Sequence, residues 1–588
     1  MEREHVMCGI VGEFNIKGNK ILDQDVSKML ETISHRGPDY QSIWWGGEIN
    51  LGHALLKIQD ISNESRQPME SEKYVMSYNG EIYNYNELRI ELVNENFKIH
   101  SNGDTEVLLK SFEAWGIKKT LEKLNGFFAI ALWDKQLRNL YLIRDKMGIK
   151  PLYYWTNNEK IVFGSEIKAI LKHHQIKSKY DLDTLMLAMV CNLWTPHSKT
   201  MFKDIHLLEQ GTYLKINQFG ISKENYFIYK KKKNNVNLLN TINDFDRCFN
   251  NSINMKTRCK VPYAAFLSGG IDSSLVCNRL SAQNNKKLDV YTVIYEKDKN
   301  IDYSYVEKTN NPKLKIKTTV VKELDFNIGQ IDKTIYAVEE LLHDKVYVSL
   351  FMNYQHAKSD GYRVILSGQG ADELWQGYLF SWDLLQKGKL LQNEEQYISN
   401  LIDNSLLFKG KIKKHIIKRI KESLSSYLWD NCYKFNVVDD LEKEAILSMR
   451  TILNNLLLQE DKLAMANSIE CRVPFVDNFE IVELSMSTPE KMKIHDNREK
   501  FIIRKVAERY LPEEIVKRQK LPFQEPDNYG EKINVLVEEN WHEIINCYSV
   551  KYIIQKIFLS NIKNFTDNEK WILLVMWRFE KLFYIIGE

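Results

Sequence analysis

Ala264-Ala265-Phe266-Leu267-Ser268-Gly269-Gly270-Ile271-Asp272-Ser273 is the stretch on which the reading of this chain turns. A short apolar run, long enough for one buried strand, meets a serine and two glycines, and a helical pattern follows from Ser273 to Leu280. Strand, tight turn and helix start therefore coincide. Glycine lets backbone approach a ligand closely, and the free N–H groups of a helix start form a cradle for an anion such as pyrophosphate. Ser268, Gly269, Gly270 and Ser273 are the candidate cradle, and Asp272 is placed to hold the Mg²⁺ that would neutralise phosphate charge. Activation of a carboxylate by ATP is the chemistry such a loop suggests.

Working outward, a second apolar run, Val364-Ile365-Leu366, ends in Ser367-Gly368-Gln369-Gly370-Ala371-Asp372-Glu373. With Tyr263–Leu267 and Val290–Tyr295 these runs, separated by helical stretches, predict a parallel sheet with crossover helices. In such sheets ligands bind beyond the carboxyl ends of the strands. Asp372 would then complete the metal site opposite Asp272, since Mg²⁺ is held by one or two carboxylates plus substrate phosphates. From about residue 395 the pattern is mostly helical, interrupted at Pro474, Pro512 and Pro522. The apolar run Trp571–Met576 is broken by Arg578, Glu580 and Lys581, too early for a membrane span, and predicts a final amphipathic helix.

Toward the amino end, Ala129–Trp133, Leu140–Ile143 and Leu152–Trp155 are strand-like, which predicts a strand-rich first domain from Met7 to about Tyr213. Roughly 215–240, containing Lys230-Lys231-Lys232-Lys233, is polar and aperiodic and is expected to be a solvated linker. A chain of 588 residues exceeds one ordinary core. The expected division is an extension at 1–6, a first domain at 7–225 and a second at 226–588. A net charge of +3, from 81 basic and 78 acidic residues, gives no field suited to nucleic acid or an anionic membrane. The eight cysteines include no C-x-x-C pair, which suggests reduced thiols rather than zinc or a redox couple. Residues 1–6 carry charges of both signs and do not read as a secretory signal, so a cytoplasmic location is expected.

The two glycine loops, together with Asp461-Lys462-Leu463-Ala464-Met465-Ala466-Asn467-Ser468-Ile469-Glu470-Cys471-Arg472-Val473-Pro474-Phe475-Val476-Asp477, resemble the synthetase domain of glutamine-hydrolysing asparagine synthetases. The resemblance implies a parallel-sheet ATP-pyrophosphatase domain of the PP-loop type with a helical extension. It implies that ATP converts a carboxylate, aspartate by default, to an acyl-adenylate that ammonia then attacks. It further implies that Leu267, Val293, Ser367 and Gly368 contact adenosine, that Asp272 and Asp372 hold Mg²⁺-pyrophosphate, and that Lys520 stabilises charge during adenylation.

At the amino end, Met7-Cys8-Gly9-Ile10-Val11-Gly12, His35-Arg36-Gly37-Pro38-Asp39, Asn79-Gly80-Glu81-Ile82-Tyr83-Asn84 and Arg144-Asp145-Lys146-Met147-Gly148 resemble class II glutamine amidotransferase domains. This implies an Ntn-hydrolase αββα sandwich in which Cys8 attacks the glutamine amide, Asn79 and Gly80 form the oxyanion hole, and Glu81 and Asp104 hold the substrate ammonium. The base would be the α-amine of Cys8, whose unperturbed pKa near ~8 suits the task; that amine exists only if residues 1–7 are absent. Two positions depart from the family pattern. Leu55 stands where an arginine grips the glutamine α-carboxylate, a loss of ~10- to 100-fold in affinity, with Lys57 two residues away as a partial substitute. Gln369 stands where a glutamate is proposed to assist ammonia attack, and an amide takes no proton at neutral pH. The segment Glu339–Val346 lacks the prolines usual on the acceptor side. The expected partners are small molecules, glutamine or ammonia and a carboxylate acceptor, with a homodimer as the candidate assembly. The alternatives are an amidotransferase for a different carboxylate, driven by ammonia with weak glutaminase activity, and a non-catalytic relative of the fold.

Overall fold

The computed structural model describes residues 8–21, 23–55, 58, 63–191, 198–228, 237–283, 287–296, 301–378, 407–431, 440–495, 498–520 and 529–585. The extension at 1–6, Lys57, the lysine run at 230–233 and Pro522 lie outside them.

Among the described residues the amino-terminal half carries twelve strands: β1 Gly9–Asn15, β2 Tyr40–Trp45, β3 Ile49–Leu55, β4 Met69–Glu70, β5 Tyr74–Ile82, β6 Gly126–Asp134, β7 Asn139–Arg144, β8 Tyr153–Thr156, β9 Lys160–Gly164, β10 Ile205–Leu207, β11 Thr212–Asn217 and β12 Gly220–Asn225. They form two six-stranded sheets, β10-β8-β9-β1-β3-β2 and β12-β11-β7-β6-β5-β4. The pairs of each sheet are antiparallel, as with Gly9 opposite Ala54 and Gly80 opposite Phe128. Strand alternation separates the layers. On β6, Ala129, Ala131 and Trp133 join Ile10, Phe14 and Leu51 between the sheets. The intervening Phe128, Ile130 and Leu132 join Val107, Leu108 and Phe112 beneath the helix Asp104–Lys123. The helix Asp23–Thr32 covers the other sheet, which completes an αββα sandwich. The hairpin β11–β12 corrects the sequence expectation in one place: residues from 215 to 225, read as the start of a polar linker, pair in register from Thr212–Asn225 to Asn217–Gly220. Their polar character reflects an edge strand, five of whose six residues are exposed.

The second half is built on β13 Tyr263–Phe266, β14 Leu288–Tyr295, β15 Leu314–Val321, β16 Val364–Leu366 and β17 Glu470–Arg472, in the order β15-β14-β13-β16-β17. All neighbours are parallel. Strand order reverses between β13 and β16, so a crevice opens at the carboxyl ends of that pair, where ligands bind in open α/β sheets. The two glycine loops both begin there.

The last helix, Asp567–Phe583, differs from the one-sided amphipathic helix expected. All residues from Trp571 to Trp577 are buried. One side packs on the helices Gly530–Glu539 and Ile328–Val338. The aromatic end, Phe579 and Phe583, stacks on Tyr180 and Phe202 of the first half. Among the described residues no helix is long and apolar enough to cross a membrane.

Two candidate active sites and the clamp between them

In the second half, backbone geometry explains the glycines. Gly269 has φ +73°, and a Cβ there would lie 2.7 Å from Asp302 O and 2.9 Å from Val306 N, so no side chain fits. Gly368 brings the second loop onto the first: its Cβ would lie 2.8 Å from Ser273 N. Gly270 is different, since a Cβ would meet only Ser268 Oγ at 3.4 Å, and the space before it is open. Ser268 N donates to Ser273 Oγ (3.1 Å), and the two hydroxyls lie 3.0 Å apart, which folds the loop over the start of the helix Ile271–Gln283.

A cavity of about 540 Å³ lies in front of these loops. It is lined by Ser268, Gly270, Asp272, Ser273, Ser367, Gly368, Asp372 and Lys520 among others. Leu267 and Val293 are buried in the sheet behind it, and Gly269 packs against Asp302 and Tyr305. Asp272 and Asp372 converge on a residue that sequence reasoning missed. Lys500 Nζ is 2.5 Å from Asp272 Oδ2 and 2.6 Å from Asp372 Oδ1. Lys520 Nζ lies 2.8 Å from Asp372 Oδ2. Burial pushes the Asp372 carboxyl upward, but the two ammonium groups outweigh it and hold the acid below the usual carboxylate range. Lys520 is shifted up against its own burial by Asp372 and Asp272. The donors fit a Mg²⁺–phosphate ligand: Asp272 Oδ1 is buried with no hydrogen-bond partner, and cationic groups for phosphate stand beside the carboxylates. Lys500 was not legible because it sits in the polar stretch Arg498-Glu499-Lys500, and only the fold buries it, in a left-handed conformation (φ +53°) ahead of the helix Phe501–Ala507.

In the first half, Cys8 immediately precedes β1, and its carbonyl accepts from Arg36 Nε (3.3 Å). Strand alternation places Leu55 on the face of Leu51 and Asn79 on the face of Val75, both of which pack between the sheets, while Cys8, just ahead of β1, packs against the cluster that holds Val11 and Ala54. The buried Leu55 forms an apolar wall there. On β2, Tyr40 pairs with Leu55, and the Arg66 guanidinium stacks 4.4 Å from the Tyr40 ring. A Cβ on Gly80 would lie 2.1 Å from Phe127 O, which makes glycine obligatory. Asn79 Nδ2 is a buried donor without a hydrogen-bond partner, as an oxyanion-hole group awaiting its ligand would be. Asp104 heads its helix and accepts from Tyr78 OH and Ile82 N, each at 2.9 Å; burial pushes its carboxyl up. Glu81 is buried as well, and its carboxylate bonds Arg472 of β17 at 2.5 Å, which ties this end of β5 to the second half.

That contact is part of a buried clamp between the halves. Arg36 bonds Glu166 and Asp461, each at 2.8 Å, and Lys150 reaches Asp461 at 2.7 Å. Glu339 accepts from the backbone N–H groups of Ile167 (3.0 Å) and Lys168 (2.7 Å) at the start of the helix Ile167–Ile170, and from Lys462 at 3.0 Å. Glu339 therefore belongs to the interface, whereas Asp344, Val346 and Tyr347 from the same segment line the cavity. Lys256 and Asp477 pair at 3.1 Å beneath Tyr83. The motif residues Arg36, Asp461 and Arg472 thus join the strand that begins beside Cys8 to the wall of the cavity. Charges this deeply buried are tolerated only when paired.

The family model for a glutamine amidotransferase domain matches residues 7–227, and the model described as asparagine synthase matches residues 244–545. Among curated proteins, the chain is 31% identical to asparagine synthetase [glutamine-hydrolyzing] 3 of Bacillus subtilis (strain 168), over 88% of this chain and 87% of that one. It is 28% identical to asparagine synthetase [glutamine-hydrolyzing] 1 of the same organism, over 97% and 96%. A putative asparagine synthetase [glutamine-hydrolyzing] of Mycobacterium bovis is 27% identical over 87% and 86%. With a glutamine amidotransferase sandwich clamped to a parallel-sheet domain whose glycine loops, acidic pair and lysines meet in one cavity, this chain belongs to the asparagine synthase family.

Proposed function

We propose that the chain activates a carboxylate, aspartate by default, as an acyl-adenylate and aminates it with ammonia released from glutamine. The observation that carries this reading is the convergence of Asp272, Asp372, Lys500 and Lys520 on the open face of the Gly270 loop. Leu267, Val293, Ser367 and Gly368 would surround adenosine, and the loop Ser268–Ser273 would cradle the β- and γ-phosphates. Asp272 and Asp372 would hold Mg²⁺, which neutralises phosphate charge when bound. Lys500 and Lys520 would turn from the carboxylates to the pyrophosphate as negative charge accumulates there. The amidotransferase unit is taken as 7–225 and the synthetase unit as 226–588. In the former, Cys8 attacks the glutamine amide, its free α-amine takes the thiol proton, Asn79 and Gly80 stabilise the oxyanion, and Asp104 holds the substrate ammonium. Ammonia then crosses between the two sites. Leu55 weakens glutamine binding, so free ammonia serves as an alternative donor.

Pyrophosphate release from ATP, followed across a panel of carboxylic acids, tests the reading. Release with aspartate supports the default acceptor, and release with another acid alone reassigns it. No release with any acid refutes the ligase reading. Cys8→Ala should abolish glutamine-dependent amide formation and leave the ammonia-dependent rate within about threefold; equal loss of both would remove Cys8 from its assigned role.

A further inference from the structure

Several carboxylates line the cavity, and most are matched to a cation. Asp272 and Asp372 share Lys500, Asp302 bonds Arg518, and Glu499 bonds Arg504. Glu460 is held differently. Its Oε1 accepts from two neutral donors, the Tyr354 hydroxyl of the helix Val346–Ser359 and the Cys471 thiol of β17, the latter at 3.2 Å. Burial pushes its carboxyl above the usual range, and those two hydrogen bonds only partly oppose the shift. Cys471 lies opposite Ile365 in the sheet, and Ser367 N donates to Arg472 O (3.0 Å). Glu460 is therefore placed beside the root of the loop that carries Gln369. Next to it, Gln459 is buried with neither Oε1 nor Nε2 hydrogen-bonded, although it lines the cavity. That leaves its donor and acceptor able to bond a polar group in the cavity. Gln369, Gln459, Glu460 and Asp344 thus supply polar groups to the cavity lining that are not ion-paired with Lys500 or Lys520.

We propose that Glu460 is the proton acceptor for ammonia attack, with Gln459 and Gln369 orienting the nitrogen by hydrogen bonds. The inference rests on the adenylate reading above. As the C–N bond forms, the acyl–oxygen bond to AMP breaks and its electron pair leaves on the phosphate oxygen. The proton in excess on the nitrogen passes to Glu460 Oε2. A carboxylate pinned by lysine is a poor base, and an amide is none at neutral pH. Glu460, held by neutral donors rather than by a lysine, meets the requirement. Its neighbour Asp461 faces the other way, toward Arg36 and Lys150.

The test compares full-length wild type with Glu460→Gln in two assays, ATP–pyrophosphate exchange with the acceptor and amide formation from ammonium chloride, across pH 6 to 9. Exchange should stay within about threefold while amide formation falls about 100-fold, in the range of general-base catalysis. Gln369→Glu added to Glu460→Gln should recover about tenfold. Amide formation within threefold of wild type overturns the proposal. So does a raised acceptor KM in exchange with the amination step intact, which would make Glu460 an acceptor-binding group. If Glu460→Gln does not fold, Tyr354→Phe decides: removing a donor that lowers the Glu460 pKa should move the acidic limb of amide formation to higher pH, and an unmoved limb overturns the assignment. Absence of exchange in wild type with every acid would instead refute the adenylate reading, and this inference with it.

Discussion

Replacing Lys500 by methionine removes the cation shared by the two acidic residues of the synthetase site. Because one ammonium touches Asp272 at 2.5 Å and Asp372 at 2.6 Å, the two carboxylates stand no more than about 5 Å apart. At an effective dielectric constant of about 20 their repulsion at that distance is about 3 kcal/mol. Lys520 relieves only part of this, since it contacts Asp372 directly, acts on Asp272 only through its longer-range charge, and is 31% exposed at its side chain. Two consequences follow. The free Lys500→Met protein should lose roughly 3 kcal/mol of stability at pH 8 in urea titrations, and less at pH 4, where one carboxyl can take a proton. Adenylation should lose about 10²- to 10³-fold, as for removal of a preorganised charge stabiliser. Lys520→Met, at a partly open position with one partner, should lose about tenfold. The assay is pyrophosphate release at saturating ATP, acceptor and ammonium. If Lys520→Met costs as much as Lys500→Met or more, the assignment of the central role to Lys500 is wrong.

Asp461→Asn leaves buried Lys150 without its carboxylate and Arg36 with Glu166 alone, so it should cost about 3–5 kcal/mol of stability and lower glutamine-dependent synthesis more than ammonia-dependent synthesis; a loss under 1 kcal/mol in denaturant titration would contradict the clamp. His53, beside Ser77 between the sheets, is pushed by burial to about 3 and stays neutral in the folded chain. Below pH 6.5 the unfolded chain gains a proton that the folded one refuses, so stability should fall by about 2 kcal/mol between pH 6.5 and 5, and His53→Gln should flatten that slope in thermal melts. Arg66→Ala should raise the glutaminase KM about tenfold while sparing ammonia-dependent synthesis if the guanidinium stacked on Tyr40 substitutes for the arginine absent at Leu55; an unchanged KM removes Arg66 from the site.

The glycine loop after β13 was legible because its geometry is local. Ala264 to Ser273 encodes strand, turn and helix within ten consecutive residues, and Gly269 needs its freedom for a backbone angle set on the spot. The central strands β13 and β16 were legible as apolar runs. β15 was not, since as an edge strand it exposes Lys315. β17 was hidden differently: it is three residues long, and two of them are charged.

Sequence alone determined the order of the two units and the two glycine loops that bring Asp272 and Asp372 together, and it offered Cys8, Asn79 and Gly80 as candidate catalytic groups, because each is written in a contiguous motif. Tertiary structure decided what no motif holds. It assigned Glu81, Glu339, Asp461 and Arg472 to the interface, Lys500 to the acidic pair, and Glu460 to the cavity wall. The reason is that a charge in sequence carries no record of its burial. Whether it binds a ligand, clamps two domains or accepts a proton depends on which opposite charge the fold brings beside it.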